Sequence, residues 1–413
     1  MFAIDSKGMI HAGPLPKQYG ADFLVLREGD GVYLKDAAGK SYLDFGSGIA
    51  VNALGHGRED LARVAADQMR RLVHSSNLYV TEPALELAAK LLRSGPFGAV
   101  HFGNSGTEAN EAALKYARLY AHRTRGEGCF KLLSFSHAFH GRTLGALSVT
   151  PNPAYRTPFE PLLPGTETLP YNDEAALEKT LDRSFAGIIV ETLQGEGGLK
   201  AMTPSFAAAL NRLCRAHDII LIADEVQTGL GRTGAVYSSF ALGLEPDIIT
   251  LAKPLAGGLP LSATLIPGKI NDLLKTGDHG STFGGGPVTT AVASHLWDII
   301  TDGEFLAEVR RKGEVLARAL GGLAETHSSG PLRVGEVRGR GMLRGLEILA
   351  PEDRTPGVMK AILAAAQERG LLLLRSGTNV VRIAPPLVIG DGDLLTGVGI
   401  LGEALGEVFT GEL

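Results

Sequence analysis

Cysteine is nearly absent from this chain of 413 residues, where only Cys129 and Cys214 occur. Two thiols cannot build a disulfide framework or a cysteine-rich zinc site. Basic charge is not in surplus either. Lys and Arg number 40 against 45 Asp and Glu, a formal net charge of −5, and the two signs are mixed along the chain. That balance excludes a sequence-independent nucleic-acid binder. No apolar run approaches the roughly 18–20 residues of a membrane span, and the opening MFAIDSKGMIHAGPLP lacks the basic start and apolar core of a secretory leader. The HExxH pattern is missing, so His137 and His140 read as polar loop histidines and no metal is expected. Repeats of 20–50 residues and low-complexity segments are absent too. These exclusions leave a soluble globular protein, expected in the cytoplasm, with enough chain for a large core.

Glycine, by contrast, is plentiful at 54 residues, which points to tight loops around a ligand. Residues 1–50 read as an extended arm with short strands and a D-x-x-G turn, expected to join a smaller domain. From about residue 60, helical stretches such as LARVAADQMRRLV alternate with the apolar runs AVHF, KLLSFS, GIIVETL, IILIADEV, DIITLA and LSATLI. Strands apolar throughout and separated by helices predict an α/β fold with a mostly parallel central sheet flanked by helices. This larger domain is expected over 51–305. A long amphipathic helix, a strand pair in VGEVRGRGMLRGLEIL and the strand NVVRIAPPL predict a smaller α+β domain over 306–413.

Ligands of open α/β sheets bind beyond the carboxyl ends of the strands. After AVHF comes GNSGTEANEAALKYARLYA, in which Ser105, Gly106 and Thr107 form a polar loop at a helix N-terminus. Free N–H groups and the positive end of the helix dipole suit a phosphate there; an ordinary N-cap by Ser105 or Thr107 accounts for the same residues. GIIVETLQ is followed by GEGG, with Glu191, Gln194 and Glu196. Asp224 ends IILIAD, where a carboxylate is costly unless it meets a cationic partner. DIITLA then delivers Lys253. A lone lysine at a strand end commonly keeps its stem buried and its ammonium in water. With a phosphate cradle and a strand-end Asp beside it, however, the set is what pyridoxal phosphate requires. The lysine forms a Schiff base with the aldehyde and serves as the proton-shuttling base, and the Asp keeps the pyridine nitrogen protonated.

GLGRTG at 229–234 matches G-x-G-x-x-G, the fingerprint of dinucleotide folds. Yet DEVQT separates it from its strand, the next acids Glu245 and Asp247 come too early, and AVYSSFALG is a poor opening helix. The dinucleotide reading fails on these counts.

The motifs YLDFGSGIAVNALGH, HSSNLY, GNSGTEANEAALKYAR, FHGRT, QGEGG, DEVQTGLGRTG, LAKPLAGGLP, GSTFGGGP and VRIAPPL, taken in order, resemble the class III (fold type I) pyridoxal-phosphate aminotransferases, close to the acetylornithine aminotransferases. The resemblance implies a homodimer with active sites shared across its interface. It implies that Lys253 carries the cofactor covalently, that Asp224 binds the pyridine nitrogen and Gln227 the ring hydroxyl. Ser105, Gly106 and Thr107 would hold the phosphate with Thr282 of the second subunit. Phe139 would stack on the ring, and Glu225 and Val226 would complete the cofactor site. Arg142 is expected to take the α-carboxylate of an acylated diamino acid, with Ser281 in reach of substrate. Arg382 would take that of glutamate, and Glu196 would neutralise Arg382 when that carboxylate is away.

The expected activity is transfer of the terminal amino group of N-acetylornithine to 2-oxoglutarate in arginine biosynthesis. Succinylornithine, acylated lysine, ornithine and 4-aminobutyrate are alternative donors, and a non-catalytic binding protein of the same fold is the alternative of another class. Gly48–Ile49 lacks the tyrosine of ornithine δ-aminotransferases, which favours an acylated donor. Thr192, the PLAGG stretch and Gly286 depart from the usual family pattern, and Gly286 and Ser262 are expected near the pocket.

Overall fold

The computed structural model describes residues 4–11, 16–20 and 22–411. Among the short strands that precede the main body are β1 (Leu26–Asp30), β2 (Tyr33–Asp36) and β3 (Ser41–Asp44). Seven strands follow: β4 (Ala99–Gly103), β5 (Lys131–Phe135), β6 (Thr166–Leu169), β7 (Phe185–Val190), β8 (Ile220–Asp224), β9 (Ile248–Leu251) and β10 (Ser262–Ile266). The last five are β11 (Arg333–Arg340), β12 (Leu343–Leu349), β13 (Leu371–Leu372), β14 (Leu374–Ser376) and β15 (Val380–Ile383). The helices used below are α1 (Glu59–Arg71), α2 (Glu82–Arg93), α3 (Gly106–Arg125), α4 (Pro204–His217), α5 (Pro287–Ile300) and α6 (Gly303–Thr326).

The seven strands form one sheet in the order β4-β10-β9-β8-β7-β5-β6. All its pairings are parallel except those of β10, which runs antiparallel to both β9 and β4. Every residue of β7, β8, β9 and β10 is buried, as the unbroken apolar runs require of a sheet covered on both faces. Each Leu or Ile so buried contributes about 1.5–3 kcal/mol. Helix α3 lies on this sheet through Ala109, Ala112, Ala113, Tyr116, Ala117 and Ala121, all buried. Its small side chains let it approach closely: a Cβ on Gly187 of β7 would stand 2.8 Å from that of Ala117. Because β4, β5, β7, β8 and β9 run the same way, the segments after Gly103, Phe135, Val190, Asp224 and Leu251 emerge at one edge. The segment leading into the reversed β10 starts at that same edge, and this convergence builds the site.

The predicted arm is a folded meander. The D-x-x-G turn forms, with Asp36 Oδ1 accepting from Ala38 N and Lys40 N at 2.9 Å. Strands β1, β2 and β3 then share a sheet with β13 in the order β13-β3-β2-β1, Leu43 pairing with Leu371. Tyr42, Leu43 and Phe45 are buried by that union, which no local pattern in residues 1–50 announces. β11, β12, β15 and β14 make a four-stranded antiparallel sheet in that order, and residues 9–11 pair with 22–24 in a two-stranded one.

GLGRTG proves to be a joint. Gly231 and Gly234 adopt φ of 83° and 89°, conformations that only glycine takes without strain. Between them Arg232 is 1% exposed. Its Nη1 donates to Met342 O at 3.2 Å and Pro385 O at 2.5 Å, its Nη2 to Ser47 Oγ at 3.4 Å, and its own carbonyl accepts from Met342 N at 3.0 Å. One side chain thereby ties the segment after β8 to the β11–β12 turn, to the chain beyond β15 and to the N-terminal meander. Burial pushes its pKa down to about 9.

Candidate active site

At the convergent strand ends lies a cavity of about 460 Å³. Lys253 follows β9 after Ala252, with Pro254 next to it starting a short turn of 3-10 helix. Its Nζ has no hydrogen-bonding partner among the described residues. Burial, and after it the Arg382 guanidinium, pushes its pKa down, against the opposing pull of Glu196, Asp224 and Glu191. The apolar strand therefore delivers an amine that is closer to its neutral, nucleophilic form than a lysine in water.

Asp224 ends β8 and is 5% exposed. In register it lies opposite Thr250 of β9, which sets its carboxylate beside Lys253. Oδ2 accepts from Asn110 Nδ2 at 2.8 Å and lies 2.8 Å from His140 Nδ1; Oδ1 accepts from Val226 N at 3.0 Å. Among the described residues its side-chain partners are thus an amide and an imidazole, and His140 is not the polar loop residue expected. It is 2% exposed, and its Nε2 is buried without a partner among the described residues. His137, three residues earlier, is the exposed one. Glu191, immediately after β7, also faces the cavity. Its carboxylate accepts from Phe139 N at 3.1 Å and Gly195 N at 3.0 Å. Burial pushes its pKa up to about 7, with His140 opposing and Asp224 reinforcing the shift.

The N-terminus of α3 closes the opposite end. Ser105 Oγ accepts from Glu108 N at 3.3 Å, and the Glu108 carboxylate accepts in return from Ser105 Oγ at 2.7 Å and Asn104 N at 3.1 Å. This reciprocal cap leaves the first-turn N–H groups of α3 without intrahelical partners. The backbone there is crowded in a way only glycine permits. A Cβ on Gly106 would come 2.7 Å from Val226 Cγ1, and one on Gly141 would overlap Thr107 Oγ1.

Two arginines frame the cavity by different means. Arg382, on β15, is 3% exposed. Its Nη1 meets Glu196 Oε1 at 2.5 Å, Gly195 O at 3.0 Å and Gln227 Oε1 at 3.4 Å. Arg142 is exposed and donates to no described residue. Its guanidinium carbon lies 3.6 Å from the Tyr155 ring centroid and 5.6 Å from that of Phe139.

Of the residues singled out in the sequence, Ser105, Gly106, Thr107, Phe139, Arg142, Glu196, Asp224, Val226, Gln227 and Lys253 all line this one cavity. Arg382 stands behind Glu196 and Gln227. Glu225 does not belong: its carboxylate turns inward to Thr228 Oγ1 and Ser239 N, where burial raises its pKa. Ser281 and Thr282 do not line the cavity either. Ser281 Oγ accepts from Asn104 Nδ2 at 3.4 Å, its carbonyl accepts from Asn77 Nδ2 at 2.6 Å, and Thr282 is exposed. Gly286 borders a separate depression, and Ser262 is buried in β10 behind Gly103. In contrast, the Gly258–Leu261 end of the PLAGG segment does border the cavity. Sequence reasoning missed Asn110, named Glu191 after its strand without a role, and set His140 aside as a polar loop residue. Asn110 was discernible as the residue one helical turn after Gly106, on the face that meets the strand ends.

Pyridoxal phosphate can be tested against these features. The glycine-crowded N-terminus of α3 offers a phosphate seat, and the fixed Asp224 carboxylate a seat for a protonated ring nitrogen. The unpartnered Lys253 amine offers a bonding partner for the aldehyde. The orphaned His140 Nε2 marks polar surface that protein alone leaves unsatisfied, which a native site tolerates when a ligand completes it. The residues fit the group.

Residues 15–405 match the family described as Aminotransferase class-III. The mitochondrial acetylornithine aminotransferase of Debaryomyces hansenii is 40% identical over 400 residues, covering 94% of this chain and 84% of its own. Among solved structures, the N-acetylornithine aminotransferase of Stenotrophomonas maltophilia K279a superposes with a TM-score of 0.81 at 31% identity, over 94% of this chain and 96% of its own. The ornithine aminotransferase of Toxoplasma gondii ME49 does so with a TM-score of 0.88 at 30% identity, over 94% and 91%. The expectation of a cytoplasmic protein is overturned here, because the Debaryomyces enzyme and several further relatives of similar identity are named as mitochondrial. Charge, cysteine content and hydropathy suit any soluble compartment, so they never carried that assignment.

Proposed function

The chain belongs to the class-III aminotransferases, and on that footing we propose that it transfers the terminal amino group of N2-acetyl-L-ornithine to 2-oxoglutarate. The products are N-acetylglutamate 5-semialdehyde and L-glutamate, the transamination used in arginine biosynthesis. The observation that carries this reading is the pair of unlike arginines in one cavity: Arg382 neutralised by Glu196 at 2.5 Å, and Arg142 with its donors free. The acylated donor brings one carboxylate to Arg142 while Arg382 stays paired. Glutamate and 2-oxoglutarate bring a second carboxylate, and Glu196, partly exposed, swings away to release Arg382. A buried guanidinium without that alternating partner is costly, so the Glu lets one cavity serve both half-reactions.

Bound at this site, pyridoxal phosphate supplies an electron sink for the carbon that carries the migrating amino group. The chain's own residues do the rest. The Lys253 amine takes the proton from that carbon, its basicity set by burial and by Arg382. Asp224, held by Asn110, His140 and Val226 N, keeps its carboxylate where a ring N–H would meet it. The N-terminus of α3 with Ser105, Gly106 and Thr107 holds the phosphate, Gln227 reaches the ring hydroxyl, and Phe139 covers the ring face.

A homodimer completes the site. Leu72, Val73, Leu78, Tyr79, Val80 and Phe283 are large apolar residues left exposed, Leu78 by 88%. So much apolar surface supports a partner subunit, and it flanks the loop that carries Ser281 and Thr282. Thr282 then reaches the phosphate of the neighbouring subunit. Residues 51–305 form the cofactor-holding domain, and 1–50 join 306–413 in the smaller one. Steady-state turnover on acetylornithine, succinylornithine, acylated lysine, ornithine and 4-aminobutyrate with 2-oxoglutarate tests the donor. A kcat/KM for acetylornithine no higher than for the other amines would refute the reading.

A further inference from the structure

We propose that Tyr155 is the positioning residue that aims Arg142 at the donor's carboxylate; the inference rests on Arg142 reading that carboxylate. The two arginines of the cavity are held in opposite ways. Arg382 is buried and fixed by hydrogen bonds to Gly195 O, Gln227 and Glu196. Arg142 is exposed and donates to nothing among the described residues, and an arginine in that state is spread over many rotamers. A forked, two-bond grip on a carboxylate requires a guanidinium whose plane is fixed in advance. The one strong restraint on Arg142 is the Tyr155 ring, 3.6 Å away, with the Phe139 ring at 5.6 Å as a weaker second contact.

An aromatic face holds a guanidinium without consuming any N–H, so this restraint leaves every donor of Arg142 available. The ring is itself anchored. Tyr155 lies in the short helical turn Pro153–Arg156, which Asn152 caps by accepting from Ala154 N at 3.0 Å. It stands edge-on to Phe139, at 6.4 Å and 90°. Tyr155 also borders a second cleft, of about 780 Å³, whereas Arg142 borders the catalytic cavity. The ring is the wall that keeps the guanidinium on the reacting side. Its hydroxyl makes no hydrogen bond among the described residues, so the aromatic face, and not the phenol, performs this task.

The test uses the loaded dimer and compares Tyr155→Leu, Tyr155→Phe and Arg142→Ala. N-acetyl-L-norvaline, which has the donor's carboxylate and acetamide but no amine to react, is titrated by calorimetry. Tyr155→Leu should bind it about tenfold more weakly and raise KM for acetylornithine about tenfold. Its kcat should stay within about twofold of wild type. Tyr155→Phe should match wild type throughout. Equal binding by wild type and Tyr155→Leu, with Arg142→Ala weakened, overturns this proposal and leaves the reading of Arg142 standing. Unchanged binding in Arg142→Ala overturns both. A kcat that falls as far as the binding does marks a general structural role and also overturns the proposal. Should the leucine variant fail to fold, Tyr155→Met is read by the same outcomes.

Discussion

Glu191 illustrates how one side chain converts burial into a measurable pH response. Its ordinary pKa of 4.5 rises to about 7 in the fold. Between those values the native state holds a proton that the unfolded chain has already released, so this group's contribution to stability falls as pH rises from about 4.5 to about 7 and is level above. Glu191→Gln removes that dependence. Urea midpoints of the cofactor-free protein at pH 5 and pH 8 should show wild type losing stability relative to the variant. A constant gap between the two curves would count against a buried, proton-holding Glu191. Lys253 and Asp224 were legible in the sequence because each ends an apolar run and the two stand together with the Ser105–Thr107 loop, a combination that neither charge makes alone. Glu191 and His140 were not, because FHGRT and ETLQGEGG are polar loops by composition. Their burial comes from the Asp224 carboxylate and from backbone N–H groups distant in sequence.

The decisive feature of α3 is its first turn. Gly141, with φ of 141°, passes so close to Thr107 that an added methyl has no room, and the displaced side chain is one that lines the cavity. Gly141→Ala should therefore weaken cofactor retention by about tenfold or more, read by equilibrium dialysis, with a smaller loss of folding stability. The strands and helices of the central sheet were foreseeable from their periodicity, whereas the Gly/Ser/Thr loop suited a phosphate seat and a plain N-cap alike, and Ser105 does cap α3. The meander β1–β3 was read as an arm because its stabilising neighbour, β13, lies at the far end of the chain. Pairing over that separation leaves no mark on local pattern.

Two predictions belong to the whole molecule. Thr282→Asp places a negative charge where the neighbouring subunit's phosphate would sit and should abolish activity, as should Lys253→Ala. Subunits of the two variants, unfolded and refolded together, form mixed dimers in which one of two sites has both a native Lys253 and a native Thr282. Activity should return, towards about a quarter of wild type for random pairing. A mixture as inactive as its parents would show that the sites are not shared. The second prediction concerns the buried joint: Arg232→Ala strands the carbonyls of Met342 and Pro385 and opens a cavity, and should cost about 3–5 kcal/mol in urea denaturation. Nothing in GLGRTG foretold that role. The motif specified a turn, and only the assembled lobes give the arginine its three partners.

The pairing of Leu43 with Leu371 also sets a timetable for synthesis. At about 5–20 residues per second, the ribosome takes roughly 15–65 s to make the roughly 330 residues between them. Throughout that interval the edge of β3 stays unpaired, with Tyr42, Leu43 and Phe45 lacking their cover, while the central sheet is complete once β10 has emerged. The nascent chain therefore carries an assembled catalytic half beside an adhesive N-terminal edge, and chaperone demand should fall on the first fifty residues rather than on the large apolar core.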